Sequence, residues 1–230
     1  MSEIMLDGRL LSAAGYVRQN AVLADIGTDH GYLPLFLLES GRISRAILAD
    51  INEGPLNTAR ENLSAAGFLS SVELVLTDGA AVLHDRGITD VTVCGMGGEL
   101  IARIISEAEY LRAPGTRLIL QPMTKVSHLR RSLASLGFEI IAERHSMADG
   151  RCYVCLVAEY TGEVKELSDL TAELGEASVM EGEDSLRRAY YTARLTSLLR
   201  EREGRALGGL DTDYADRLIA ELNTRLSALS

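Results

Sequence analysis

From residue 21 to residue 160, short runs rich in β-branched residues alternate with longer stretches whose apolar positions recur at helical spacing. The strand-like runs are "AVLADIG", "RAILADI", "SVELVLTD", "VTVCGM", "TRLILQPM", "EIIAERHSM" and "CYVCLVAEY". Several are apolar throughout rather than alternating, the pattern of strands covered on both faces. The segments between them, "GYLPLFLLESG", "EGPLNTARENLSAAG", "GAAVLHDRG", "GGELIARIISEAEYL" and "SHLRRSLASLG", read as helices. Three end near Gly41, Gly67 and Gly137, where a left-handed C-cap is expected. Strand and helix repeating through short connections imply a right-handed, doubly wound parallel α/β sheet. Only "ADG" separates the last two runs, so they are expected to form an antiparallel hairpin.

The flanks have a different pattern. Residues 6–19 have helical spacing and predict a helix that packs as a lid. Beyond the core, "TGEVKELSDLTAELGEA" is acidic and weakly patterned, and two amphipathic stretches after it predict a helical hairpin across Gly208 and Gly209. The expected division is a domain over 1–162 and a second, all-helical unit over 165–230. No 20- to 50-residue repeat and no low-complexity tract is present.

Composition narrows the class. The 230 residues are 47% hydrophobic, yet no apolar run approaches the roughly 18 residues that span a bilayer. The N-terminus lacks the order of a signal peptide, so a cytoplasmic protein is expected. Cys94, Cys152 and Cys155 are an odd number of cysteines without an export signal, which argues against a disulfide framework. The Cys152-x-x-Cys155 pair lies in a strand-like run with no second pair, so no metal is expected. Net charge is −10, so any nucleic-acid contact must rest on local basic patches.

Chemistry concentrates at the strand ends, which face the ligand crevice of an open parallel sheet. The first run ends in Asp25-x-Gly27-x-Asp29-x-Gly31, the second in Asp50, the third in Asp78-Gly79 and the fourth in Cys94-Gly95-Met96-Gly97-Gly98. Gly27 suits a sharp turn and Gly31 a close helix approach. Asp50 stands where an acid accepts from ribose hydroxyls, and Asp78 either accepts from an adenine amino group or caps the next helix. Asp25 and Asp29 would repel a pyrophosphate, so the loop favours the cationic, phosphate-free S-adenosylmethionine over NAD.

The Asp-x-Gly-x-x-x-Gly loop, the acid ending strand two and the Asp after strand three resemble class I S-adenosylmethionine-dependent methyltransferases. That likeness implies a Rossmann-like, seven-stranded, mostly parallel sheet ending in an antiparallel hairpin, here with a small all-helical, coiled-coil-like C-terminal domain. More narrowly, "ADIGTDHGYLP", "ADINEGPL", "CGMGGELI" and "LILQPM" resemble the bacterial tRNA (adenine(22)-N1)-methyltransferase family over essentially the whole chain. Asp29 replaces the usual glycine but is followed by a histidine, as in that narrower family. Cys94 stands where a small residue is expected. Met96-Gly97-Gly98 replaces the Asn/Asp-Pro-Pro-aromatic loop of amino-group adenine methyltransferases, implying a different base edge or a differently held base.

The resemblance implies methyl transfer from S-adenosylmethionine to N1 of adenosine 22, with tRNA as partner and a monomer as the default state. It places the cofactor along Asp25, Gly27, Asp29, His30, Gly31, Asp50, Ile51, Asn52, Asp78, Gly79, Cys94, Gly95 and Met96. Asp29 is the catalytic candidate through the target adenine, with the methionine ammonium as the rival role. His30 and Tyr32 are expected to stack on the target base, Gln121 and Pro122 to follow strand five into the same pocket, and Gly97 and Gly98 to let the base lie on the backbone. For RNA contact the candidates are Arg9, Arg18, the cluster Lys125, His128, Arg130 and Arg131, and Arg187, Arg188 and Arg194 on a segment, 185–205, with six arginines against two glutamates. Competing readings are a methyltransferase for a small molecule or another RNA, using the C-terminal helices as lid or dimer interface, and a non-catalytic cofactor-binding protein. An NAD oxidoreductase fits the acidic loop least.

Overall fold

The computed structural model describes residues 5–229. Residues 1–4 and 230, which the two expected domains include, lie outside the described residues. Five parallel strands, β1 (Val22–Ile26), β2 (Arg45–Asp50), β3 (Val72–Leu76), β4 (Asp90–Gly97) and β5 (Arg117–Thr124), are joined by crossovers. The antiparallel strands β6 (Phe138–Ala148) and β7 (Arg151–Tyr160) follow as the expected hairpin. With a short last strand, β8 (Met180–Glu181), the order β3-β2-β1-β4-β5-β7-β6-β8 puts the chain reversal between β1 and β4, where such sheets open a ligand crevice.

The apolar runs form strands because both faces are covered. Leu23, Ala24 and Ile47 are fully buried, and separate apolar layers lie on the two sides of the sheet. The covering helices are α1 (Gly8–Tyr16), α2 (Tyr32–Glu39), α3 (Glu53–Ala65), α4 (Gly98–Glu107) and α5 (Val126–Ser135). Gly41, Gly67 and Gly137 adopt φ of 66°, 83° and 82°, the left-handed caps read from the sequence.

Four expectations change. The N-terminal helix is not a lid: α1 lays Ser12, Ala13 and Ala14 into the core, and a Cβ on Gly8 would sit 2.2 Å from the Met147 carbonyl of β6. "GAAVLHDRG" forms only a 3-10 turn at Ala81–Leu83, because Gly79, Asp85 and Gly87 take positive φ around it. Gln121 and Pro122 do not follow β5 but lie within it. The sheet also has eight strands, because β8 (Met180–Glu181) comes from the C-terminal segment and pairs parallel with β6 at Glu143 and Arg144.

That segment is therefore not all helical. It contains α6 (Asp169–Leu174), β8, α7 (Asp184–Leu207) and α8 (Asp213–Ala228), and the last two form the expected hairpin around Leu198, Leu218 and Leu222. A buried ion pair ties it to the core. Arg130 of α5 donates to both Glu143 carboxylate oxygens (3.0 and 2.7 Å) and to the Ala172 and Glu173 carbonyls. No helix among the described residues is long and apolar enough to cross a membrane.

Candidate functional site

The loop after β1 is built by its glycines. Gly27 takes φ 73°, and its N–H and that of Thr28 donate to the Ala49 carbonyl at 2.7 and 3.1 Å, tying the loop to β2. A side chain there would also collide with the Met96 methyl, which lies over Gly27. Gly31, φ 69°, leads into α2 where a Cβ would press on Ala59 and Leu48, so it does admit close helix packing.

Asp25 is buried at the floor, where its Oδ1 accepts from the Thr92 hydroxyl at 2.7 Å. Burial pushes its carboxyl up from the usual carboxylate range, against the hydrogen bond from Thr92, and the nearby Asp50 charge adds to the rise. Asp29 projects to the rim, 82% exposed, with His30 Nε2 3.4 Å away. The His30 carbonyl accepts from Asn62 Nδ2 at 2.9 Å, and its ring stands 5.3 Å from that of Tyr32 at 56°. Asp50 accepts from the Asn52 N–H at 2.8 Å.

These strand ends enclose two adjoining cavities. The first, ≈ 470 Å³, is lined by Arg9 and by Asp25, Gly27, Asp29, His30, Gly31, Tyr32, Asp50, Ile51, Asn52, Cys94, Gly95 and Met96. The second, ≈ 290 Å³, shares Gly27, Asp50, Ile51 and Met96 and adds Asp78 and Gly79. All thirteen expected cofactor residues thus line one or both, and Met96 lies between them. Asp78 does not cap the following turn; it pairs with Arg103 of α4 at 2.8 Å, which holds its carboxyl below the usual range. Burial pushes the Cys94 thiol well up, so it is no ready nucleophile.

The expected acceptor residues divide. Arg9, His30 and Tyr32 reach the first cavity, but Gly97, Gly98, Gln121 and Pro122 do not line it. A Cβ on Gly98 would meet the Lys125 carbonyl at 2.4 Å, so this glycine serves the approach of the β5–α5 turn rather than a base. A Cβ on Gly97 would meet only the Thr124 hydroxyl, at an ordinary 3.4 Å. Gln121, fully buried, accepts from the Gly95 N–H at 3.1 Å and donates to the Pro122 carbonyl. It props a bulge in β4, where Gly95 takes φ 79° and the ladder to β5 shifts.

Arg187 pairs with Asp184 and Arg194 with Glu173, whereas Arg188 is exposed without an ion pair among the described residues. The expected cluster around residue 130 is dispersed: Arg130 is sealed against Glu143 and Arg131 holds Asp169. Arg18 is spent on Asp90. The sequence reading missed Thr28, Thr92, Asn62 and Arg103. Arg103 is the least concealed, being a lone cation on the apolar helix that follows the glycine run.

The first cavity fits a cation better than a phosphate. Asp25, Asp29 and Asp50 meet no lysine or arginine among the described residues. The cavity's cation, Arg9, is already held by Asp7 at 2.6 Å. One polar wall atom, His30 Nδ1, is buried without a partner, which a polar ligand would remedy, while the Thr28 hydroxyl beside Asp25 helps to hold that carboxyl down.

Comparison with known proteins agrees with this geometry. Residues 6–156 match the family model described as a methyltransferase domain. The chain is 36% identical over 159 residues to the tRNA (adenine(22)-N(1))-methyltransferase of Bacillus subtilis, covering 69% of this chain and 67% of that protein. The crystal structure of the B. subtilis m1A22 tRNA methyltransferase TrmK superposes with TM-score 0.77 at 28% identity, covering 99% and 98% of the two chains. A Streptococcus pneumoniae protein solved with S-adenosyl-L-methionine gives TM-score 0.80 at 30% identity, covering 96% of this chain and all of that one.

Proposed function

Because the chain belongs to the bacterial tRNA (adenine(22)-N1)-methyltransferase family, we propose that it transfers a methyl group from S-adenosylmethionine to N1 of adenosine 22 in tRNA. The observation that carries this reading is the cavity walled by three acids that no lysine or arginine meets. S-adenosylmethionine, when bound, supplies an electrophilic methyl group on a cationic sulfur.

The chain's own residues supply position and charge. Asp50 would accept from the ribose hydroxyls of the bound cofactor, and Asp78, steadied by Arg103 in the second cavity, would hold its adenine. Asp25 on the floor would hold the methionine ammonium, whose charge would favour the ionised carboxylate there. Asp29 at the rim is then left for the target adenine. Neutral adenine already has an N1 lone pair, so no base is needed to create the nucleophile, and alignment and water exclusion can carry most of the rate. Positive charge gathers on the base as its new bond forms. A carboxylate about 4 Å away stabilises it by on the order of 1–4 kcal/mol, toward the lower end at so exposed a rim. His30 and Tyr32 offer ring faces beside it for a base lifted from its stack.

Mass spectrometry of nucleosides from unmodified tRNA incubated with the protein and labelled cofactor tests the reading. 1-Methyladenosine is expected, and none when adenosine 22 is replaced. Its absence with cofactor demonstrably bound would refute the proposal. Asp29→Ala should lower turnover about tenfold or more while weakening the cofactor less than about threefold, a difference of about 0.7 kcal/mol or more in where the carboxylate acts. Equal losses would return Asp29 to the ammonium.

A further inference from the structure

Resting on that reading, we propose that the cleft between the β5–α5 turn, β7 and α7 receives the ribose-phosphate strand beside the target adenosine, with Lys125 as its phosphate contact. The cleft has a volume of ≈ 530 Å³, within the roughly 300–1,000 Å³ of ligand sites. It adjoins the first cavity through Arg9, whose Nη1 lies 3.3 Å from the Met123 sulfur and whose guanidinium carbon stands 5.5 Å from the Tyr153 ring centre. Met123 and Tyr153 line the cleft, and Arg9 lines the cavity. A base lifted from its stack into the cavity draws its flanking phosphates to that mouth.

The charges point to a polyanion. Arg194 on the α7 wall is committed to Glu173 at 2.9 Å, whereas the Lys125 side chain opposite has no hydrogen bond or ion pair among the described residues. Lys125 is also held in place. Its backbone is left-handed, φ 57° and ψ 39°, and its carbonyl is packed against Gly98. Tyr153 of β7 and Tyr190 of α7 line the cleft from its two sides.

Lys125→Gly removes the cation and leaves a residue at ease with the left-handed backbone; Lys125→Arg restores charge. The tRNA KM, the tRNA Kd across a salt series, the cofactor Kd and Tm are compared with wild type. Lys125→Gly should raise the tRNA KM about five- to tenfold and make the log–log salt slope shallower by roughly 0.7–0.9, the share of one phosphate contact. Cofactor Kd should stay within about twofold and Tm should hold or rise, since glycine suits this backbone, and Lys125→Arg should recover the slope. A Lys125→Gly protein with wild-type KM and slope overturns the proposal. So does one whose cofactor affinity and Tm fall as the tRNA KM rises. Wild-type protein that binds tRNA but forms no 1-methyladenosine defeats the proposed function instead, and the salt slope still decides the cleft.

Discussion

The strand-end cavity and the C-terminal helices use the same charged residue types to opposite purposes. In the cavity, Asp25, Asp29 and Asp50 have no lysine or arginine beside them among the described residues. In the C-terminal segment, Arg187, Arg194, Arg202 and Arg225 are each held by an acid: Asp184, Glu173, Asp216 and Glu221. Burial separates them further, because Asp25 is enclosed without a cation while the enclosed Arg130 has Glu143. Charge left without a partner by the fold marks a place for a ligand. Charge with a partner braces the fold, within a helix for Arg187 and Arg225 and between elements for Arg194 and Arg202.

The contrast can be broken most severely at the buried pair. Glu143→Gln leaves Arg130 as a buried cation without its counter-charge, and stability should fall by about 3–5 kcal/mol in denaturant unfolding. Loss below about 1 kcal/mol would mean that this pair is not what joins α6 to the core.

Asp25→Asn sharpens the other side. It should weaken the cofactor about 10- to 100-fold by calorimetry, the worth of a hydrogen bond to a charged group. The ligand-free protein should be no less stable at pH 7. The native pKa of Asp25 lies above its unfolded value, so its stabilising contribution is full below the unfolded pKa and is lost as pH rises through the native one. The variant should lack that loss, whereas wild-type cofactor affinity should fall as acid neutralises Asp25. A clear drop in neutral-pH stability would make Asp25 a structural acid. The smallest effect belongs to the exposed Arg202 and Asp216 pair: Arg202→Ala should leave the unfolding midpoint in denaturant essentially unchanged.

Much of the cavity was legible because its makers are local. Asp25, Gly27 and Gly31 declare a strand end, a turn and a close helix approach within seven residues, and strand order brings Asp50, Asp78 and Gly95 to the same rim. What stayed hidden depends on partners far along the chain. Gly98 looked available to a base until the Lys125 carbonyl proved to fill its face. Gln121 looked like a pocket residue, but its carboxamide completes the bulge at Gly95. The α7 arginines read as a free patch because Glu173 and Asp216 reach two of them from other helices. His145 drew no notice at all; buried against Tyr190 and near the Arg130 and Arg187 charges, it is pushed down to about 3 and stays neutral.

The two-residue strand β8 has one more consequence. Along β6 it covers Glu143 and Arg144 on the side away from β7. A chain shortened at residue 162 would keep the whole cofactor crevice but present that margin as a bare template, on which a second molecule could add its own strand. Shortening the chain there is therefore expected to raise self-association, which light scattering would read.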